Sequence, residues 1–232
     1  MTVTKKERTV LCLGPPHSGK SVFSYLLFKS LRQLRNNAYL MDADYYSPTH
    51  RKRIEDYASP FEKPYIFTTP NLIKLTKLTH ENFRNIAHST HALIESKGVI
   101  VLDGVGRHSP STDSLFELSN ALILLCYCHF DVGKNSKECG FVKNGESLHP
   151  FDFYNAICER FGISDKKYIR IETRFHSEKI ASFDEDKLKG ELFDLDWEVI
   201  KNGNVDRVPQ KTREIIQRIA RLTLATCYKG RC

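Results

Sequence analysis

The chain has no long apolar run. Its longest, Ala121 to Cys128, falls far short of the roughly 20 residues that a membrane helix needs, which argues against a helical membrane protein. Met1 to Thr9 is polar and carries no apolar h-region, so no secretory signal is expected and a cytoplasmic protein is. No internal repeat and no low-complexity tract is present, which argues against solenoids and disordered arrays. The seven cysteines, Cys12, Cys126, Cys128, Cys139, Cys158, Cys227 and Cys232, are odd in number and contain no C-x-x-C pair. That spacing speaks against a disulfide framework and against a zinc ribbon. Cys126 and Cys128 flank Tyr127 on an expected strand and read as packing residues. His88 and His91, three apart on an expected helix, lack a third ligand in view and read as an ordinary polar face.

What is present fits a soluble α/β protein. A chain of 232 residues with 41% hydrophobic composition is long enough for one domain with a sizeable core. A net charge of +7 suits anionic ligands, from nucleotides to nucleic acid. The basic residues are spread out, with small clusters at 5–8 and 51–53, and a solvated surface accounts for both.

The most informative segment is Gly14-Pro15-Pro16-His17-Ser18-Gly19-Lys20-Ser21. It satisfies G-x-x-x-x-G-K-[ST] at every fixed position. A β-rich run, Thr9 to Leu13, precedes it, and Ser21 to Leu34 carries apolar residues at helical spacing. A strand, a glycine loop and a helix N-terminus together present backbone N–H groups to a phosphate. Gly14 and Gly19 let the chain turn closely around a polyphosphate. Lys20 is placed for the β- and γ-phosphates and Ser21 for Mg²⁺. The nucleotide contacts are expected from Gly14 through Val22.

Further along, Ala38 to Met41 reads as a strand that opens into Asp42-Ala43-Asp44. Either acid suits a proton-accepting or metal-shell role, and Asp44 is the preferred base. Residues 51–79 read as irregular, and a helix is expected over 81–96. Val99 to Leu102 is a β-branched run of the kind buried on both faces of a parallel sheet. It ends in Asp103, an acid at the carboxyl edge where a metal ion could be held. Arg107, in L-D-G-V-G-R, is equally a contact to an anionic acceptor or an ordinary loop arginine. Ala121 to Tyr127 reads as another buried strand, and the polar segment 131–149, with Lys134, Lys137 and Lys143, as a lid. A helix over 151–161, strands over 168–171 and 197–200, and a helix over 208–226 complete the pattern. Residues 174–196 read either as a helical hairpin packing on the sheet or as a partner surface. Strands alternating with helices predict a three-layer α/β/α fold with a mainly parallel sheet and a single domain spanning 1–232, in which 44–80 is an acceptor-side insertion.

On these motifs the chain resembles the P-loop NTPase superfamily over most of its length. Two narrower resemblances follow. L-D-G-V-G-R at 102–107 and M-D-A-D-Y-Y at 41–46 resemble segments of nucleoside and nucleotide kinases. That likeness implies Arg107 on the acceptor phosphate and an Asp as base. W-E-V-I-K-N-G-N at 197–204 resembles the purine-side loop of such kinases, which implies nucleotide contacts from Asn202 and Gly203. The glycine at Gly106 replaces the family's proline, and an Arg-rich lid is not evident. G-P-P-H-S-G-K-S-V, F-T-T-P at 67–70 and V-L-D-G-V-G-R-H-S-P at 101–110 also resemble the ATPase-like domain fused to a CRISPR-associated ring-nuclease family. The first likeness implies an ATP·Mg²⁺ phosphotransferase acting on a nucleoside, nucleotide or 5′-hydroxyl polynucleotide, with Lys20, Asp44, Asp103 and Arg107 catalytic and Ser21 and Asp103 on the metal. The alternative is a nucleotide-dependent ATPase or switch working with a protein or RNA partner; a homo-oligomer is compatible with either. Lys20→Ala is expected to abolish activity without unfolding the chain.

Overall fold

The computed structural model describes residues 8–14, 18–35, 37–43, 56–68, 98–104, 119, 121–127, 141–143, 146–148, 159, 168–174, 180–193, 195, 197, 200 and 203–228. Strand β1 (Arg8–Leu13) leads into helix α1 (Lys20–Leu34), and then come β2 (Ala38–Asp42), a 3-10 turn (Lys63–Tyr65) and β3 (Ile66–Thr68). Strands β4 (Val99–Asp103), β5 (Ala121–Tyr127), β6 (Phe141–Lys143), β7 (Glu146–Leu148), β8 (Tyr168–Arg174), β9 (Ser182–Asp184) and β10 (Lys189–Phe193) follow, and helix α2 (Gln210–Tyr228) comes last.

The main sheet has eight strands in the order β3-β2-β4-β1-β5-β8-β10-β9. Seven of them run parallel, and β9 lies antiparallel at one edge. Strand β1 is central because its sequence is apolar on both faces: Val10, Leu11, Cys12 and Leu13 are all fully buried. One face, carrying Val10, Val99, Val101, Ile123 and Leu40, packs on Val22, Phe23, Leu27 and Leu31 of α1 and on Ile215, Ile216 and Ile219 of α2. On the opposite face Leu11, Leu13, Met41, Ile100, Leu102 and Leu124 are equally buried. A sheet buried on both sides is the middle of three layers.

The chain leaves β1 towards β2 on one side, and later passes from β4 to β5 on the other. The carboxyl ends of β1 and β4 therefore flank the point where strand order reverses, which is where open parallel sheets bind ligands. In register, Cys12 lies opposite Asp103, and Asp103 lies opposite Asp42.

Most expected elements that fall on described residues appear with bounds shifted by up to three residues, and the others differ. Of the strand expected over 197–200 only Trp197 and Ile200 are described, and neither is in a ladder: Ile200 N–H donates to the Trp197 carbonyl at 3.0 Å, and the Trp197 ring stacks on Tyr57 with centroids 5.3 Å apart. The last parallel strand is β10, inside the stretch 174–196. Its Glu191 pairs with Arg174 of β8 at 3.0 Å, so a charged residue sits on a strand in a stretch whose sequence suggests a helical hairpin or a partner surface. The nominally irregular stretch 51–79 contains β3, paired with β2. Within the lid-like segment, β6 and β7 form an antiparallel hairpin of their own; its remaining residues lie outside those described. So do the helix expected over 81–96 and, apart from Glu159, that over 151–161.

Candidate nucleotide-binding site

The phosphate loop joins β1 to α1, and its described residues are built for an anion. Gly19 is the N-cap of α1 with φ 72 and ψ 11, a left-handed conformation that an L side chain resists. A Cβ there would also stand 3.0 Å from the Leu195 Cβ. At Gly14 a Cβ would stand 2.6 Å from Ser18 Oγ and 2.7 Å from the Leu125 carbonyl oxygen. The two glycines are thus required by the fold of the loop itself.

The first intrahelical bond of α1 runs from Phe23 N–H to the Gly19 carbonyl at 2.9 Å. The amides of Lys20, Ser21 and Val22 precede it and have no acceptor within the helix. Among the described residues no side chain caps this end, and no acid lies in its first turn. A buried helix start without a cap is a ready anion site, with the helix dipole favouring negative charge. Thr173, at the end of β8, donates its hydroxyl to the Ser18 carbonyl at 2.7 Å and ties the loop to the sheet.

Below the loop lies a buried polar cluster. Lys20 Nζ stands 3.2 Å from Asp103 Oδ1, with side-chain exposures of 6% and 0%. Ser24 Oγ donates to the same oxygen at 3.4 Å. Asp42 is fully buried in the same row, beside Asp103. Cys12 completes the row; burial, first of all, pushes its thiol up to about 12, with Asp103 adding to the rise against the opposing Ser24 and Lys20. It therefore stays a neutral thiol.

The buried polar atoms that find no hydrogen-bond partner among the described residues include Ser18 Oγ and Asp103 Oδ2. Unsatisfied buried groups call for an explanation, and here one is at the phosphate loop and the other on the acid at the carboxyl edge. With Lys20, Ser21 and the start of α1, these donors and acceptors fit a polyphosphate with a divalent cation.

The structure thus brings Gly14, Ser18, Gly19, Lys20, Ser21, Val22 and Asp103 together. Pro15, Pro16, His17, Asp44, Arg107 and Asn202 lie outside the described residues. Gly203 is held elsewhere: its carbonyl accepts from Lys29 Nζ at 2.5 Å, and its N–H donates to the Tyr57 carbonyl. Lys29 is nine residues along α1 from Lys20, a rise of about 13 Å, so Gly203 is not brought to the phosphate loop. Sequence reasoning passed over Ser24, although its i+4 spacing from Lys20 puts the two on one helix face. It also missed Thr173, which no local signal marks.

Strand, glycine loop, helix and edge acid together define a P-loop α/β fold. Two solved structures share it over nearly their whole length. A plasmid partition protein from Borrelia burgdorferi B31 bound to AMPPNP matches with a TM-score of 0.58 at 11% identity, covering 94% of this chain and 99% of that one. A ParA family ATPase from Chlorobium tepidum TLS matches with a TM-score of 0.58 at 10% identity, covering 93% and 98%. No family model and no curated protein matches the chain. No helix among the described residues is long and apolar enough to cross a membrane.

Proposed function

We propose that the chain is an ATP-binding, Mg²⁺-dependent ATPase that works as a nucleotide switch with a protein or nucleic-acid partner. The observation that carries this reading is the buried Lys20–Asp103 pair beneath an uncapped helix start. The structures that share the fold favour this reading over the phosphotransferase one, since one is named an ATPase and the other holds an ATP analogue. The two residues that an acceptor site would need, Asp44 and Arg107, have no described position.

In this reading the amides of Gly19 to Val22 hold the phosphates, and Lys20 offsets their charge. Ser21 and Asp103 hold the cation, whose chemistry is to neutralise and orient the polyphosphate. Thr173 donates to the Ser18 carbonyl and so ties the start of α1 to the end of β8. The β2 end sits beside Asp103, with Ala43 N–H donating to the Asp103 carbonyl at 2.9 Å, so the metal site and the end of β2 are directly bonded. The test is ATP turnover by the purified chain with Mg²⁺, alone and with pooled nucleosides, nucleotides and 5′-hydroxyl oligonucleotides. Slow release of inorganic phosphate, indifferent to every pool, is expected. Phosphate appearing on one acceptor would overturn the switch reading and establish a kinase.

A further inference from the structure

We infer that the groove between α1 and α2 is a second anion site, built for one tetrahedral oxyanion of the phosphate type and separate from the phosphate loop. The groove holds a cavity of about 80 Å³, more than a single water needs. Leu26, Lys29, Ser30 and Gln33 of α1 line it at positions i, i+3, i+4 and i+7. Arg213, Ile216 and Gln217 of α2 line it at i, i+3 and i+4. Each helix thus turns one stripe into the groove. Leu26 and Ile216 are buried, and the remaining five side chains are polar. Ser30 lies ten residues beyond Lys20, about 15 Å along α1, so the cavity is not part of the nucleotide site. The inference stands whether or not the nucleotide reading does.

Every polar side chain of the lining can present a donor, and no carboxylate is among them. Arg213 is the key group. Its Nε is buried and finds no hydrogen-bond partner among the described residues, and a buried donor without an acceptor is costly. Its guanidinium reaches Asp206 at 3.8 Å, but the Asp206 side chain is 80% exposed, so that pair is loose and screened by solvent. Lys29 is already held by Glu62 at 2.7 Å and by the Gly203 carbonyl, which cancels the charge of that acid near the groove. Ser30, Gln33 and Gln217 are left as neutral donors around Arg213. A water would give Nε an acceptor but no charge. An oxyanion gives both, and the planar fork of an arginine matches two oxygens of a phosphate group.

The experiment is side-chain NMR of the whole chain, following the Arg213 Nε–H resonance, which is assigned by its loss in Arg213→Gln. That readout is local, so phosphate bound at the phosphate loop does not enter it. Inorganic phosphate and glycerol phosphate, a phosphomonoester, are each titrated in exchange for sodium chloride at constant ionic strength. A saturable shift of the resonance is expected with at least one of them. Tighter binding of the monoester would show that the site takes phosphate carried on a larger molecule, and tighter binding of inorganic phosphate that it takes the free ion; either supports the site. Gln33→Ala combined with Gln217→Ala keeps Arg213 in place to be read, and should weaken binding at least about fivefold. No saturable shift with either compound would overturn the inference and leave the cavity to water. So would an affinity that the two glutamine substitutions do not change.

Discussion

Lys20 has two tasks, and they compete. It is the charge that a polyphosphate requires, and it is the counter-ion that keeps Asp103 tolerable in a buried site. The sequence shows the first task alone, so Lys20→Ala looks there like a change without structural cost. The structure adds that cost. Stranding a buried partner is worth about 3–5 kcal/mol, so Lys20→Ala should be measurably less stable in urea as well as inactive. At Gly19 the expectation is different in kind. Gly19→Ala forces a Cβ onto a left-handed residue and against Leu195, at a cost of about 1–3 kcal/mol. The strain falls on the residue that starts α1, so AMPPNP affinity should drop along with the melting temperature. A variant that melts lower but binds AMPPNP as wild type does would show that the loop relaxes independently of the site.

Between elements, Glu62 decides how the segment after β2 is fastened to α1. Its carboxylate accepts from Tyr25 Oη at 2.7 Å, from Lys29 Nζ at 2.7 Å and from Ser59 Oγ at 2.9 Å. Nearby, the Arg32 guanidinium lies 3.5 Å from the centroid of the Tyr65 ring. Burial would raise the Glu62 carboxyl, but Lys29, Tyr25 and Ser59 together hold it below the ordinary carboxylate value. A lowered folded value means that the stabilisation is complete above the unfolded value of about 4.3 and disappears as pH falls through the folded one. Glu62→Gln should therefore cost about 1–3 kcal/mol at neutral pH, and the gap from wild type should close in acid. Urea unfolding of both proteins at neutral pH and below pH 4 would measure it; a gap unchanged in acid would show that charge is not what Glu62 contributes.

The phosphate loop, β1, β4, β5 and α1 were legible because each carries a local necessity. The loop has glycines where a Cβ cannot fit, the strands have unbroken apolar runs, and α1 has apolar residues at helical spacing. Thr173 and β10 were not legible, because their roles arise from partners far away in sequence. Thr173 meets Ser18 across 155 positions. Strand β10 is defined by its ladder with β8, not by its own composition. Gly203 is a different case: its positive φ of 74 suits any tight turn, and its described contacts are with Lys29 and Tyr57.

For the whole molecule, the order of strands sets the site. Strands β1 and β4 are neighbours in space but 83 positions separate the residues that matter, Lys20 and Asp103, so the pair exists only once the sheet has closed. Anything that binds across it reports on the assembled fold, and nucleotide with Mg²⁺ should accordingly raise the melting temperature more than either alone. The far edge of that sheet has a consequence of a different kind. Strand β9 is three residues long, runs against its neighbours, and presents Ser182 and Asp184 to solvent. A parallel edge left bare there would be a template for strands from other molecules. A short reversed strand ending in a fixed charge, with Asp184 accepting from the amides of Asp186 and Lys187, gives an incoming chain little to copy. The same few residues that end the sheet thus also set how poor a template its edge is for a strand from another molecule.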